Sequence, residues 1–312
     1  MNISERVKHD RIDFLKKWPN TKKFECEINF EHRISLMKDI PLYYPIKFSY
    51  NDDNDLHTVI SFIIESLDCL PYKPDNSFDW LWKSFEFCLG KIYTTENITE
   101  KLQKLIKELS IPTEKEIVLG ANSLINLAKE IPFQTCEYLF KKISQDGSFK
   151  PTPQGKIGKR TLLNNGNGAI IVYPNLQTLL DYITTSFSIN NHEEVRKAAS
   201  LLRKAIKQNE VTLKEIKITL SDDEIYALII SSLTYSFRND RTHAELFAPF
   251  RSSTATLTTY AHCWYMTLVV HCLLITIINK AIPTTNLDIN IDDNIKNNID
   301  SFKKLFGDYR NK

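Results

Sequence analysis

The feature that most restricts this chain is the uninterrupted run from Thr254 to Ile278, which contains no Asp, Glu, Lys or Arg. Its second half, LVVHCLLITII, is strongly apolar, so it leaves water either across a membrane or along the centre of a helical domain. His262, His271, several threonines and the polar opening STATLTTYAH favour the buried core helix. A membrane-attached protein anchored by this segment is the competing expectation.

Helical periodicity dominates much of the remainder. Leu56–Leu70 carries apolar residues at 59, 60, 63, 64, 67 and 70, a spacing of three and four that defines one buried face. Ser77–Tyr93 repeats the pattern with Phe78, Leu81, Trp82, Phe85 and Leu89. Further helices are expected near 97–109, 113–130 and 133–144, each opened by a Thr or followed by a Pro, and over His192–Lys207. The tail after Pro283 reads as a polar connection into a short amphipathic terminal helix. Two regions differ. Residues 1–55 look mixed, with extended pieces at Phe24–Phe30 and Pro45–Tyr50. Gln145–Tyr173 holds five of the eight glycines. It predicts a two-stranded insert turning at Asn164–Gly168, with Lys150, Lys156, Lys159 and Arg160 around it. The expected fold class is therefore mainly α: a helical bundle over 56–312 with a small β-hairpin insert at about 145–173, preceded by a mixed N-terminal segment over 1–55.

Composition narrows the function. With 42% hydrophobic residues among 312, the chain can bury a substantial core in one large domain or two ordinary ones. A formal charge of +2 means that a nucleic-acid partner must be held by a local basic surface. Six cysteines without a CxxC fit reduced, mostly buried thiols rather than a disulfide framework or a zinc site. The charged start, MNISERVKHDRIDFLKKWPN, has no apolar signal region, and a cytoplasmic protein is expected. GKIGKR lacks the spacing of a phosphate-binding P-loop, and no GxSxG, HExxH or GxGxxG occurs. No metal and no cofactor is expected.

The chemistry concentrates in one helix. Ser221 and Glu224 form a capping box, IYALIISSLTYSF follows, and the sequence then turns polar at Arg238, Asn239, Asp240, Arg241, Thr242 and His243. Arginine stays protonated and grips phosphate with a planar fork, whereas histidine moves protons near neutrality. One fixed cation beside one proton carrier suffices to cleave RNA through its own 2′-hydroxyl. Arg238 and His243 are five apart and project about 140° from each other, so a phosphate gripped by both calls for two copies around a symmetry axis. Asn239 and His243, four apart, share a face.

Arg238-Asn239-x-x-x-His243 resembles the R-[polar]-x3-H signature of the HEPN superfamily, and its place late in an apolar helix, before one more long apolar helix, is similar too. The resemblance implies a metal-independent ribonuclease, often a toxin or antiviral effector cutting tRNA or other RNA as a homodimer. It implies Arg238 and His243 as catalytic residues and Asn239 as their polar support. A neutralising antitoxin or regulatory partner would keep such an enzyme quiet. The competing expectation is a non-catalytic helical module that holds RNA or a nucleotide while a partner acts.

Several cations are candidate RNA contacts. Arg241 and Arg251 flank the motif. Arg196, Lys197, Arg203, Lys204 and Lys207 share an arc of roughly 120° on one helix, a possible track for a phosphate backbone. Tyr260, His262, Trp264 and Tyr265 are candidates for base stacking, although core packing is the commoner fate of such residues. Ser253 or Thr254 is expected to cap the last long helix.

Overall fold

A helix buried on every side organises the chain. The computed structural model describes residues 3–20, 23–95, 97–147, 149, 153–163, 173–243 and 247–312. In chain order its elements begin with α1 (Ile3–Lys17), α2 (Glu25–Ser35), α3 (Asn54–Cys69), α4 (Pro74–Ile92), α5 (Ile98–Ser110), α6 (Lys115–Ala128) and α7 (Phe133–Asp146). Next come α8 (Lys156–Leu162), α9 (Pro174–Ser186), α10 (His192–Ile206), β1 (Val211–Leu213) and β2 (Ile216–Ile218). Then α11 (Asp222–Tyr226), a π-helical stretch (Ala227–Thr234) and α12 (Tyr235–Thr242) form one unbroken helix. Finally, α13 (Leu257–Ala281) and α14 (Ile291–Phe306) close the chain. Among the described residues the fold is mainly α with one small β-hairpin.

The central helix is α13. Long and apolar enough to cross a membrane, it is wholly buried through its most apolar window. Both of its histidines and two of its buried threonines have partners, which is what makes their burial tolerable, whereas Trp264 Nε1 and the Tyr265 hydroxyl are buried with no partner among the described residues. His271 bridges the Tyr43 hydroxyl (2.6 Å) and Asn294 Oδ1 (2.7 Å), and His262 meets the Thr135 hydroxyl at 2.9 Å. Burial pushes both imidazoles down to about 4. The Thr267 and Thr276 hydroxyls donate back to the carbonyls of Cys263 and Cys272. At Gly120 of α6 the backbones come so close that a Cβ would lie 2.0 Å from Thr276 Oγ1. The cap of α13 is Thr256, whose hydroxyl accepts the Thr258 amide at 3.2 Å, rather than Ser253 or Thr254. Ser252 and Thr254 instead bond to each other at 2.9 Å. Tyr260, His262, Trp264 and Tyr265 are all buried, so they are core residues here and not exposed stacking platforms.

The N-terminal region differs from the mixed, partly extended reading. Residues 25–35 are helical, because Cys26 and Phe30, four apart, bury one helical face. Phe30 stacks on Tyr260 at 3.9 Å and on Phe306 at 5.9 Å, joining this region to the same core as α13 and α14. The piece around Phe48 is extended and makes a single bridge to Leu287.

The hairpin also lies elsewhere than expected. Residues 156–162 form helix α8, not a strand; Asp146 accepts the amides of Ile157 (3.0 Å) and Gly158 (2.7 Å), which closes its first turn. The expected turn at Asn164–Gly168 lies outside the described residues. The observed hairpin pairs β1 with β2, Val211 opposite Ile218, and turns through Lys214 with φ 57. That left-handed conformation is one that glycine adopts more easily. Without Gly or Asn at the turn, VTLKEIKI gives little sign of a hairpin.

Candidate functional site

The helix that carries the motif starts as expected. The Glu224 carboxylate accepts the Ser221 amide at 3.0 Å and so closes the capping box. Its middle is unexpected. From Ala227 to Thr234 the backbone widens to π geometry, with the Thr234 hydroxyl on Ile229 O at 2.7 Å. Helix α8 packs on this segment: Arg160 Nε donates to Ser231 O at 2.6 Å, and the Thr161 and Ser232 hydroxyls meet at 2.8 Å. Side chains that satisfy helix carbonyls from outside are one way in which a regular ladder is opened. π segments often occur beside functional sites.

Beyond this segment the polar residues of α12 diverge. Asn239 and His243 line a cleft of about 250 Å³, together with Lys142 and Asp146 of α7 and Lys156 and Arg160 of α8. His243 sits at the end of the helix, exposed, its amide bonded to Asn239 O at 2.9 Å. Its ring has no hydrogen-bond partner among the described residues. Arg238 lies to the side of this cleft. Its Nη1 donates to Asn239 Oδ1 at 3.3 Å, and its Nη2 faces Glu86 at 3.4 Å. Asn239 thus stands between the two, touching Arg238 and sharing the cleft wall with His243. As the helical spacing requires, Arg238 and His243 do not line one cavity in a single copy of the chain.

The neighbouring cations are used differently from expectation. Arg241 turns into the protein, where Asp79 accepts from Nε (2.7 Å) and Nη2 (2.6 Å) and Asp75 from Nη1 (3.0 Å). Burial works against its charge, but the Asp79 hydrogen bonds and the two carboxylate charges outweigh burial and hold the proton more tightly than usual. Arg241 therefore braces α12 against α4. Arg251 pairs with Glu27 at 2.9 Å and packs over the Phe14 ring, among residues of α1 and α2 rather than in the cleft. On α10, Arg203 donates to Ile131 O at 3.0 Å and to Asn311, while Arg196 faces Glu137 at 3.6 Å above the Phe133 ring. Lys207, half-buried beside Arg203, loses proton affinity through burial and then through that charge. None of these residues lines the cleft, and the α10 stripe is partly consumed in bracing α10 against α7.

Sequence reasoning missed Lys142 altogether and placed Lys156 and Arg160 on a hairpin. The basic cluster GKIGKR was visible, but its position against the motif helix was not. Compared with known proteins, the chain has no significant match to a family model, a curated protein or a solved structure.

Proposed function

We propose that the chain is a metal-independent endoribonuclease of the HEPN type, acting on RNA such as tRNA as a toxin or defence effector and working as a homodimer. The observation that supports this most is the exposed, unpartnered His243 ring in a cationic cleft, linked through Asn239 to Arg238. In the reaction His243 takes the proton of a ribose 2′-hydroxyl, and that oxygen attacks the adjacent phosphorus. The bond from phosphorus to the 5′-oxygen breaks, and the leaving oxygen takes a proton from water while the His243 imidazolium returns its own proton to the solvent. Arg238 stabilises the charge that develops on the phosphate oxygens. The products are a 2′,3′-cyclic phosphate and a 5′-hydroxyl. Because Arg238 and His243 point apart on one helix, the complete set is assembled from two copies.

Total tRNA incubated with the purified protein in EDTA, with the 3′ ends analysed, tests the reading. Wild type should cut and leave cyclic phosphate, whereas Arg238→Ala and His243→Ala should not. Cutting that survives both substitutions would mean that other residues act.

One observation favours a second reading. Glu86 partly neutralises Arg238, and Asp146 and Asp240 also face the cleft, as suits a module that binds without cutting. RNA binding without cleavage by wild type would select it.

A further inference from the structure

The cleft beside Asn239 and His243 contains a charge with no ion-pair partner among the described residues, Asp146 and Asp240 acting on it only from beyond that distance. The Arg160 side chain is buried, at 8% exposure, and its partners are neutral. Ser231 O accepts from Nε at 2.6 Å, the Ser236 hydroxyl accepts from Nη2, and the Tyr235 ring lies 4.9 Å away. Among the described residues no carboxylate lies within ion-pair distance of it. The two acids of the cleft are engaged elsewhere. Asp240 holds Lys142 at 2.6 Å and the Tyr138 hydroxyl at 2.7 Å, and Asp146 holds two amides of α8. Lys156, exposed on α8, adds a third cation to the wall. Arg241 shows the alternative: half-buried, it is matched by two carboxylates.

A buried cation is costly unless an anion or a full set of hydrogen bonds compensates it. The fold gives Arg160 neutral acceptors and an open cleft. Burial accordingly weakens its hold on its proton.

We propose that this cleft is a phosphate-binding site in which Arg160 supplies the counter-charge, Lys142 and Lys156 flank it, and the bound group lies beside Asn239 and His243. The site would take one backbone phosphate of single-stranded RNA. It deepens the ribonuclease reading and rests on it for the polymer, whereas the phosphate chemistry stands on Arg160 alone. The same chemistry could come from the phosphate of a free nucleotide.

The test is binding of a fluorescent, fully 2′-O-methylated oligonucleotide, which offers no 2′-hydroxyl to attack. Wild type, Arg160→Gln and Lys156→Glu are compared over a range of salt. Arg160→Gln and Lys156→Glu should each weaken binding about tenfold to a hundredfold, the range of a hydrogen bond to a charged group. Each should also make the salt dependence shallower by about one phosphate contact. Should Arg160→Gln fail to fold, the exposed Lys156→Glu carries the test. Binding within twofold of wild type in the folded variants overturns the site. Binding of 5′-AMP or inorganic phosphate that depends on Arg160, with no oligonucleotide binding, keeps the phosphate site and assigns it to a nucleotide. Arg160-dependent oligonucleotide binding, combined with intact RNA in the cleavage assay, keeps the site and removes the ribonuclease reading.

Discussion

Arg241 belongs to the helix against which Arg160 packs, and the protein treats the two in opposite ways. Arg241 turns inward to a place where Asp75 and Asp79 match its charge from α4. Arg160 meets a carbonyl, a hydroxyl and an aromatic ring, and lines a cleft open to water. The first arrangement is complete as folded, and its loss should appear in stability. The second is incomplete, as is the His243 ring beside it, which has no partner among the described residues, and its loss should appear in binding or chemistry.

Substitutions can break that division. The largest effect is expected at His243. His243→Ala should lower RNA cleavage by about a hundredfold to ten-thousandfold, the range for loss of a general base. Its urea midpoint should stay where wild type has it, because the side chain is exposed. A shifted midpoint with intact cleavage would reverse the assignment. At the matched arginine, Arg241→Met should destabilise the fold by about 3–5 kcal/mol in urea titration, since it strands the buried Asp75 carboxylate.

Acid sharpens the contrast around α13. His262 and His271 are held down to about 4, below the ordinary histidine value of about 6.5. The folded state therefore binds fewer protons than the unfolded chain between those limits. Their contribution is complete above about pH 6.5 and is lost as the pH falls toward 4, by up to roughly 3 kcal/mol for each histidine. Urea titrations across that range in wild type and His271→Asn should diverge in slope; parallel curves would show that His271 is not the group responsible. Packing comes next in size. Gly120→Ala forces a methyl group onto Thr276 and should cost about 1–3 kcal/mol, read as a lower thermal midpoint. The smallest effect is expected at Thr256→Ala, which removes the cap of α13 for about 1 kcal/mol.

Local patterns were legible where one element carried its own signal. The faces of α3 and α4, the positions of α5, α6, α7 and α10, and the capping box at Ser221 follow from residue spacing alone. Residues 24–30 were misread as extended because a short apolar piece has no period that separates strand from helix. Glycines drew the expected hairpin to 145–173, where residues 156–162 are helical, while the hairpin among the described residues turns through Lys214, in a conformation that the sequence does not advertise. The order of Arg238, Asn239 and His243 was legible, and so was their angular separation. That Asn239 bridges Arg238 to the cleft was not.

The sequence by itself determined that this is a helical protein built around one apolar helix, because the Thr254–Ile278 run must leave water and the period of its neighbours suits covering it. It also determined which side chains are capable of proton transfer or of gripping a phosphate, since side-chain type decides that. Only the tertiary structure decided how each cation is used. Whether an arginine faces two carboxylates or an open cleft depends on residues far away in the chain: Asp75 and Asp79 for Arg241, Ser231 and Ser236 for Arg160. The π-helical stretch was likewise beyond reach, because the bonds made to it by Arg160 and Thr161 arise from packing between helices that are distant in sequence.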